Sequence, residues 1–516
     1  MKCSIRSARC VALSFSLIAI HLLGAQAVAK DDRLQRLFAR FEAIHSDFAE
    51  EMESIAEFCE QNSYLTDAER IHHRARYSQR SALDLRELPE QLTPPLPRDL
   101  DPVHKQWRIR LRAAEKDHAI QLYRLAREAI EARHPSLAYQ LIRHVLYFDP
   151  DHRYARELLG YVQDDDHWTT PFARRMKLKG FVDHPDFGWI AKEHVSRYEN
   201  GERLFKGKWI SAEREKILRS DFKNAWEIET ENFLIQTNHS LERGVELGRN
   251  LEMFHQFFME QFTAIFSTPQ QMQRLFNGAA SPSRVRRNPH RIAYFRNKDE
   301  FIRELKTIES RIEIANGFYL PRTRTAYFFH VDDPEAKESN IETMFHEVTH
   351  QLLGESSSKT IEVGEYYHFW VIEGFPCYME SFETIVDTTE TLDSSASAKS
   401  FSIGDPEHPR IYWAKKKALE ELYYIPMRRF MVMGKREFMR PDDNDVLHAY
   451  YSQATGLCHF FLHYEGGIYR DAFMEYLSQI YSPDDRVRLN TKTMEQLLGI
   501  PFETLDRQYL EYLKTL

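Results

Sequence analysis

At 516 residues the chain is too long for one compact domain and divides into two or three. A formal charge of -9, with no basic tract, excludes a nucleic-acid-binding protein of the usual kind. Five cysteines in such a length exclude a disulfide-rich scaffold.

The first segment, residues 1–29, reads as a cleaved secretory signal. Lys2, Arg6 and Arg9 form a basic start, Val11 to Leu23 is apolar, and Ala25-Gln26-Ala27 or Ala27-Val28-Ala29 offers a small-residue cleavage site. The apolar run is short for a membrane span, so a secreted or periplasmic protein is expected, with an uncleaved anchor as the alternative. Cleavage leaves Cys59, Cys377 and Cys458 and no membrane span.

Residues 30–165 read as helical, with Asp117 to Ala132, Ser136 to Tyr147 and Tyr154 to Tyr161 carrying small and large apolar positions in alternation. Ala138 to Pro150 looks like a tetratricopeptide-type helix pair, although a stable array needs about three repeats. A helical hairpin that packs on its neighbour is the expectation, in a region that could also take a protein partner, preceded by a stiff linker or loop at Leu92 to Pro97. Residues 166–224 are read as a linker or small aromatic-turn module, because Asp166-His167-Trp168-Thr169-Thr170 and Gly207-Lys208-Trp209-Ile210-Ser211 resemble each other.

From residue 225 the order is strand Phe233 to Thr237, helix Leu241 to Phe266, strand Arg291 to Phe295, helix Lys298 to Glu309. Two further strands, Gly317 to Pro321 and Thr323 to Val331, surround a turn. That order suits an α+β, mainly helical fold: a lobe of mixed sheet, then a helical C-terminal lobe.

The run His346-Glu347-Val348-Thr349-His350 follows. Histidines four apart on a helix stand one above the other, so both imidazoles reach one metal ion while the intervening glutamate reaches its water. Ser339 and Glu342 have the spacing of a capping box, and Gly354 offers a stop. A hydrolytic zinc site takes three protein ligands and keeps one position open, so a third ligand is expected downstream, and Glu373 in Trp370-Val371-Ile372-Glu373-Gly374 is the candidate.

The pairing of H-E-x-x-H with W-x-x-E-G-x-x-x-Y resembles the gluzincin metallopeptidases, which include thermolysin and the aminopeptidase N-like enzymes. The resemblance covers about residues 225–516 and implies His346, His350 and Glu373 as zinc ligands and Glu347 as general base. Pro376 departs from the family pattern, and implies either that the Glu373 helix begins near Gly374 or that it is kinked. The stretch around Tyr450-Tyr451-Ser452-Gln453-Ala454 resembles a helix of uncharacterised bacterial members of the group. It implies Tyr451 as oxyanion donor, with Tyr450 and His448 as alternates. No G-A-M-E-N-type signature is present, so exopeptidase action has no support.

The expected function is therefore a secreted or periplasmic zinc endopeptidase acting on protein or peptide substrates. The alternatives are a zinc hydrolase of a non-peptide bond and a non-catalytic protein-binding protein with a structural zinc.

Overall fold

The computed structural model describes residues 32–75, 85–279, 288–310, 312–356, 363–387, 398–441 and 443–516. The secretory signal read at residues 1–29 lies outside them. Among the described residues no helix is long and apolar enough to cross a membrane. The fold is α+β and mainly helical, as expected.

The N-terminal region contains α1 (Asp32–Gln61), α2 (Leu65–Ala75), the short strand β1 (Leu85–Arg86), α3 (Pro102–Glu131), α4 (Pro135–Phe148) and α5 (Arg153–Leu158). Helix α3 starts well before Asp117 because Asp101 caps it, accepting from the amides of Val103 and His104, and Pro102 presets the first turn. Leu122 and Leu125 of α3, Leu141, Ile142 and Val145 of α4, and Met52 and Ile55 of α1 form one core. Each fully buried aliphatic side chain there contributes about 1.5–3 kcal/mol. Helix α4 lacks a side-chain cap of its own. Its Ser136 amide instead donates to Asp471, from the C-terminal lobe, at 3.0 Å.

Three histidines sit inside this bundle. His118 stacks on Phe48 with ring centroids 4.1 Å apart and lies 5.5 Å from His45, while His144 lies against Phe41. Neither ring nitrogen of His118 has a hydrogen-bond partner among the described residues. Burial pushes His118 down to about 3 and His144 down to about 4.

The segment that follows is an array of three ββα units. These are β2 (Val162–Asp164), β3 (His167–Thr169) and α6 (Pro171–Leu178); β4 (Phe181–His184), β5 (Gly188–Ala191) and α7 (Val195–Glu199); and β6 (Glu202–Phe205), β7 (Lys208–Ser211) and α8 (Ala212–Arg219). The first hairpin spans Asp165, so the helical region and the first unit share that hairpin. Trp168, Trp189 and Trp209 occupy the same place in the three hairpins, opposite Gln163, Asp183 and Leu204. The middle unit escaped the sequence comparison because Trp189 follows a glycine, whereas Trp168 and Trp209 follow the polar His167 and Lys208. Trp189 packs edge-on against Phe172 of α6, and the Arg197 guanidinium of α7 lies 3.9 Å from the Trp209 ring centroid. Trp189 and Trp209 thus each lean on the preceding unit, the nearest-neighbour stacking of a solenoid.

The lobe that follows is built on a five-stranded sheet. Its members are β8 (Trp226–Glu229), β9 (Phe233–Thr237), β10 (His290–Phe295), β11 (Phe318–Leu320) and β12 (Thr325–Phe329), in the order β11-β12-β10-β9-β8. The central β9, β10 and β12 are parallel. Their crossovers run through α9 (Leu241–Gln261), α10 (Thr263–Phe266) and α11 (Pro269–Phe276), then α12 (Lys298–Leu305). The helix expected over Leu241 to Phe266 is thus broken after Gln261, and the one expected to Glu309 ends at Leu305. The hairpin β11-β12 matches the expectation and leaves β11 at the sheet edge.

Helix α13 (Pro334–Gly354) carries the H-E-x-x-H run and ends where expected. Its start does not match the capping box read at Ser339 and Glu342: the helix begins at Pro334 after Asp333. Proline at the first helical position needs no amide and holds the right φ, so it starts the helix upstream of the hydroxyl. Val348, Phe345 and Leu352 bury the face of α13 that meets Phe328 and Phe254. The Gln351 side-chain amide donates to the carbonyls of Arg291 and Arg324, tying α13 to β10 and to the turn before β12.

The C-terminal part contains α14 (Phe369–Met379), the hairpin β13 (Glu383–Asp387) and β14 (Ala398–Ser402), α15 (Pro409–Leu419), α16 (Met427–Phe430), α17 (Lys435–Phe438), α18 (Asn444–His463) and α19 (Arg470–Ile480). Strand β1 joins the hairpin by pairing with β14, so the N-terminal region contributes a strand to this lobe. Helices α20 (Asp485–Leu489), α21 (Met494–Leu498) and α22 (Phe502–Leu513) close the chain.

Helix α14 begins at Phe369, not near Gly374, and runs through Pro376. The W-x-x-E-G-x-x-x-Y spacing has a mechanical meaning here. Trp370 is fully buried and donates its indole N–H to the Tyr476 hydroxyl of α19 at 3.2 Å, and the Tyr378 hydroxyl meets His463 Nε2 of α18 at 2.7 Å. Between them, a Cβ at Gly374 would lie 2.7 Å from the Ala454 carbonyl oxygen of α18. Glycine is what lets the two helices approach.

Two outcomes follow. Gly374→Ala, which meets backbone that cannot swing aside, is expected to destabilise the chain by about 1–3 kcal/mol, read as a lower urea midpoint. His118 and His144 are neutral in the fold but take a proton near 6.5 once unfolded. Their contribution is therefore complete above about pH 6.5 and is lost as pH falls toward 4. Thermal melts between these pH values are expected to show the N-terminal helices weakening on acidification, and His118→Phe to flatten that slope.

Candidate metal centre

Helices α13 and α14 cross so that His346, His350 and Glu373 converge. His350 Nε2 lies 3.2 Å from His346 Nε2, and Glu373 Oε2 lies 3.7 Å from His346 Nε2 and 4.0 Å from His350 Nε2. A single point about 2.1 Å from all three atoms exists within that triangle, the distance at which zinc-class ions bind imidazole and carboxylate. Two imidazoles and one carboxylate can hold a metal ion, and three donors leave a position open. The side chains are 13 %, 18 % and 17 % exposed, so the group is sheltered but reachable from solvent.

Pro376 does not spoil this. It sits on the turn after Glu373, where its missing amide leaves the Ile372 carbonyl without its usual helical donor. The Trp370 and Tyr378 anchors hold α14 on either side of that gap, and Glu373 keeps its aim.

Glu347 stands beside the triangle. Its Oε2 accepts from the Tyr319 amide of β11 at 2.9 Å. Tyr319 is the middle residue of the edge strand, opposite Ala326 of β12, and its hydroxyl reaches Glu355 at the end of α13. One residue thereby fixes both the candidate base and the spacing between edge strand and helix.

The region around His346 includes residues that the sequence reading did not single out. His346 Nδ1 donates to Glu380 Oε1 at 2.8 Å, and Arg410 grips the same carboxylate through Nε at 2.7 Å and a terminal nitrogen at 3.2 Å. Burial raises the Glu380 carboxyl, but His346 and Arg410 overcome it and hold the group down at about 2. Burial also raises Glu373, and there too the two histidines win, leaving it below the ordinary carboxylate range. A carboxylate on Nδ1 fixes the ring so that Nε2 presents its lone pair to the centre. Glu373, Cys377 and Glu380 share one face of α14 at spacings of four and three, a pattern visible in the sequence. Arg410 had no local signal.

Of the tyrosine and histidine candidates, Tyr450 packs among Phe430 and Phe438, and His448 lies edge-on to Trp413. Tyr451 differs. Burial holds its proton firmly, reinforced by the charges of Glu373, Cys377 and Glu347. Among the described residues its hydroxyl donates to the Met439 thioether at 3.6 Å, a weak acceptor. Cys377 and Cys458 are buried and unpaired.

No protein-family model matches the chain, and no curated protein matches it.

Replacing Glu380 by Gln keeps the shape and removes the charge behind His346. Glu380→Gln is expected to weaken metal binding about 10–100-fold in a chelator competition, with the fold intact by circular dichroism.

Proposed function

We propose that the chain is a secreted or periplasmic zinc endopeptidase. The observation that carries the reading is the triangle of His346 Nε2, His350 Nε2 and Glu373 Oε2, with a carboxylate at its side and a position left open. When bound there, zinc supplies Lewis acidity: it polarises a scissile carbonyl and makes water acidic enough to attack near neutral pH.

The chain's own groups do the rest. Glu347, steadied on one oxygen by the Tyr319 amide, takes the proton of the attacking water on the other and passes it to the leaving amine. Tyr451 turns its hydroxyl from the Met439 sulfur to the developing oxyanion, a stronger acceptor. Strand β11, at the edge of the sheet among the described residues, offers backbone groups to an extended peptide. Main-chain pairing along an edge suits cleavage within a chain better than removal of a terminal residue, and this favours an endopeptidase over an exopeptidase.

Metal analysis of wild type is expected to give about one zinc per chain, with His346→Ala and Glu373→Ala retaining little. Glu347→Ala is expected to keep its zinc and lose about a hundredfold or more in peptide hydrolysis. Tyr451→Phe is expected to lower kcat about a hundredfold with KM little changed, read on a quenched-fluorescence peptide library. Equal zinc in wild type and both ligand variants would sink the reading.

A further inference from the structure

His346 is a pivot between two sets of donors. Its Nε2 faces His350 and Glu373, as described. Its Nδ1 faces Glu380 Oε1 at 2.8 Å and Cys377 Sγ at 3.8 Å. The three atoms of this second set lie within 4.8 Å of one another and can hold an ion.

The spacing can be tested against bond lengths. An ion of zinc size, about 2.3 Å from sulfur and 2.0 Å from nitrogen, holds those two atoms about 3.5 Å apart at a tetrahedral angle, and nitrogen and oxygen about 3.3 Å apart. The observed 3.8 Å and 2.8 Å bracket these values, so closing the set requires shifts of a few tenths of an ångström. Arg410 holds both oxygens of Glu380, Oε2 through Nε at 2.7 Å and Oε1 through a terminal nitrogen at 3.2 Å, so the carboxylate stays aimed and the His346 ring and the Cys377 side chain make those shifts. Cys377 forms no disulfide, and its sulfur is the softest donor near the centre. Thiolate in a donor set selects thiophilic ions.

We infer that His346 Nδ1, Cys377 and Glu380 form a second metal site for a thiophilic ion of the cadmium or copper(I) class, and that filling it opposes filling of the His346–His350–Glu373 centre. The opposition comes from proton accounting. A neutral imidazole carries one N–H. When Nε2 is a ligand, the proton resides on Nδ1 and is donated to Glu380. When Nδ1 binds the second ion, that proton moves to Nε2 and points into the first centre, while Cys377 releases its thiol proton to solvent. One neutral ring serves one centre at a time. The second site stands without the peptidase reading; only the opposition rests on it.

Cadmium is the probe. The full-length, zinc-free chain is titrated with cadmium chloride, and the ultraviolet thiolate-to-cadmium charge-transfer band is recorded. The band is expected to saturate near about one ion per chain in wild type, to persist in His350→Ala, and to vanish in Cys377→Ala and in the nearly isosteric Cys377→Ser. Cadmium loaded first is expected to lower zinc affinity about tenfold or more, and zinc to lower cadmium affinity by the same factor. No band in wild type, or an unchanged band in both Cys377 variants, would place the ion elsewhere and overturn the site. Undiminished zinc uptake would overturn the opposition. A chain that gives the cadmium band yet takes up no zinc in cadmium's absence would support the thiol site and fail the peptidase reading, so the two fail separately.

Discussion

The candidate metal centre depends on how closely α14 approaches α18. At Gly374 the two backbones come near enough that a single methyl group would meet the Ala454 carbonyl oxygen. That contact sets the height of Glu373 above α13, while the Trp370 and Tyr378 hydrogen bonds to α19 and α18 set its rotation. Because the helix is held at both ends, the proline in its second half costs one backbone hydrogen bond and little aim. Helix α13 is held from the opposite side, through Gln351 on the sheet and Tyr319 on the edge strand. The two ligand-bearing helices are therefore positioned by different partners, and their distance is a property of the whole lobe.

Charge adds a second constraint. His346 sits between two carboxylates, Glu373 on one ring nitrogen and Glu380 on the other, with Arg410 behind Glu380. Buried acids in such numbers are costly unless paired. Here histidine and arginine offset that cost, and a cation between the rings would offset it further. The centre is built to favour positive charge.

Much of this was legible in the sequence, and the reasons are local. The histidine spacing, the E-G after the tryptophan and the alternating strands before α13 follow from periodicities of one helix or one strand. The missed features have other origins. The start of α13 was misplaced because a serine three residues from a glutamate imitates a cap wherever it occurs, whereas Asp333-Pro334 is the pair that begins this helix. Glu380 was readable as the next turn of the Glu373 face but was not separated from an ordinary solvated acid. Arg410 reaches Glu380 only through the chain's return after β14, and no pattern within one element announces that. The middle ββα unit was hidden because its hairpin is held by a tryptophan and a glycine whose flanks vary. Tyr451 was chosen over its neighbours by resemblance; both tyrosines pack on Phe438, and what sets Tyr451 apart is a hydroxyl whose acceptor is the weak Met439 thioether.

The cap on α4 links the two ends of the chain. Its first turn has no side-chain acceptor from its own sequence, and Asp471, more than three hundred residues away, takes that place while also meeting His134 at 3.3 Å. A helix that borrows its cap cannot be lifted off the lender without exposing its own end to water. Undocking thus costs α4 its cap, about 0.5–2 kcal/mol, and couples the N-terminal region to the lobe that carries the candidate metal centre, while the core that α4 shares with α1 and α3 holds the rest of the helix. A fragment ending before α19 would carry α4 with a frayed first turn.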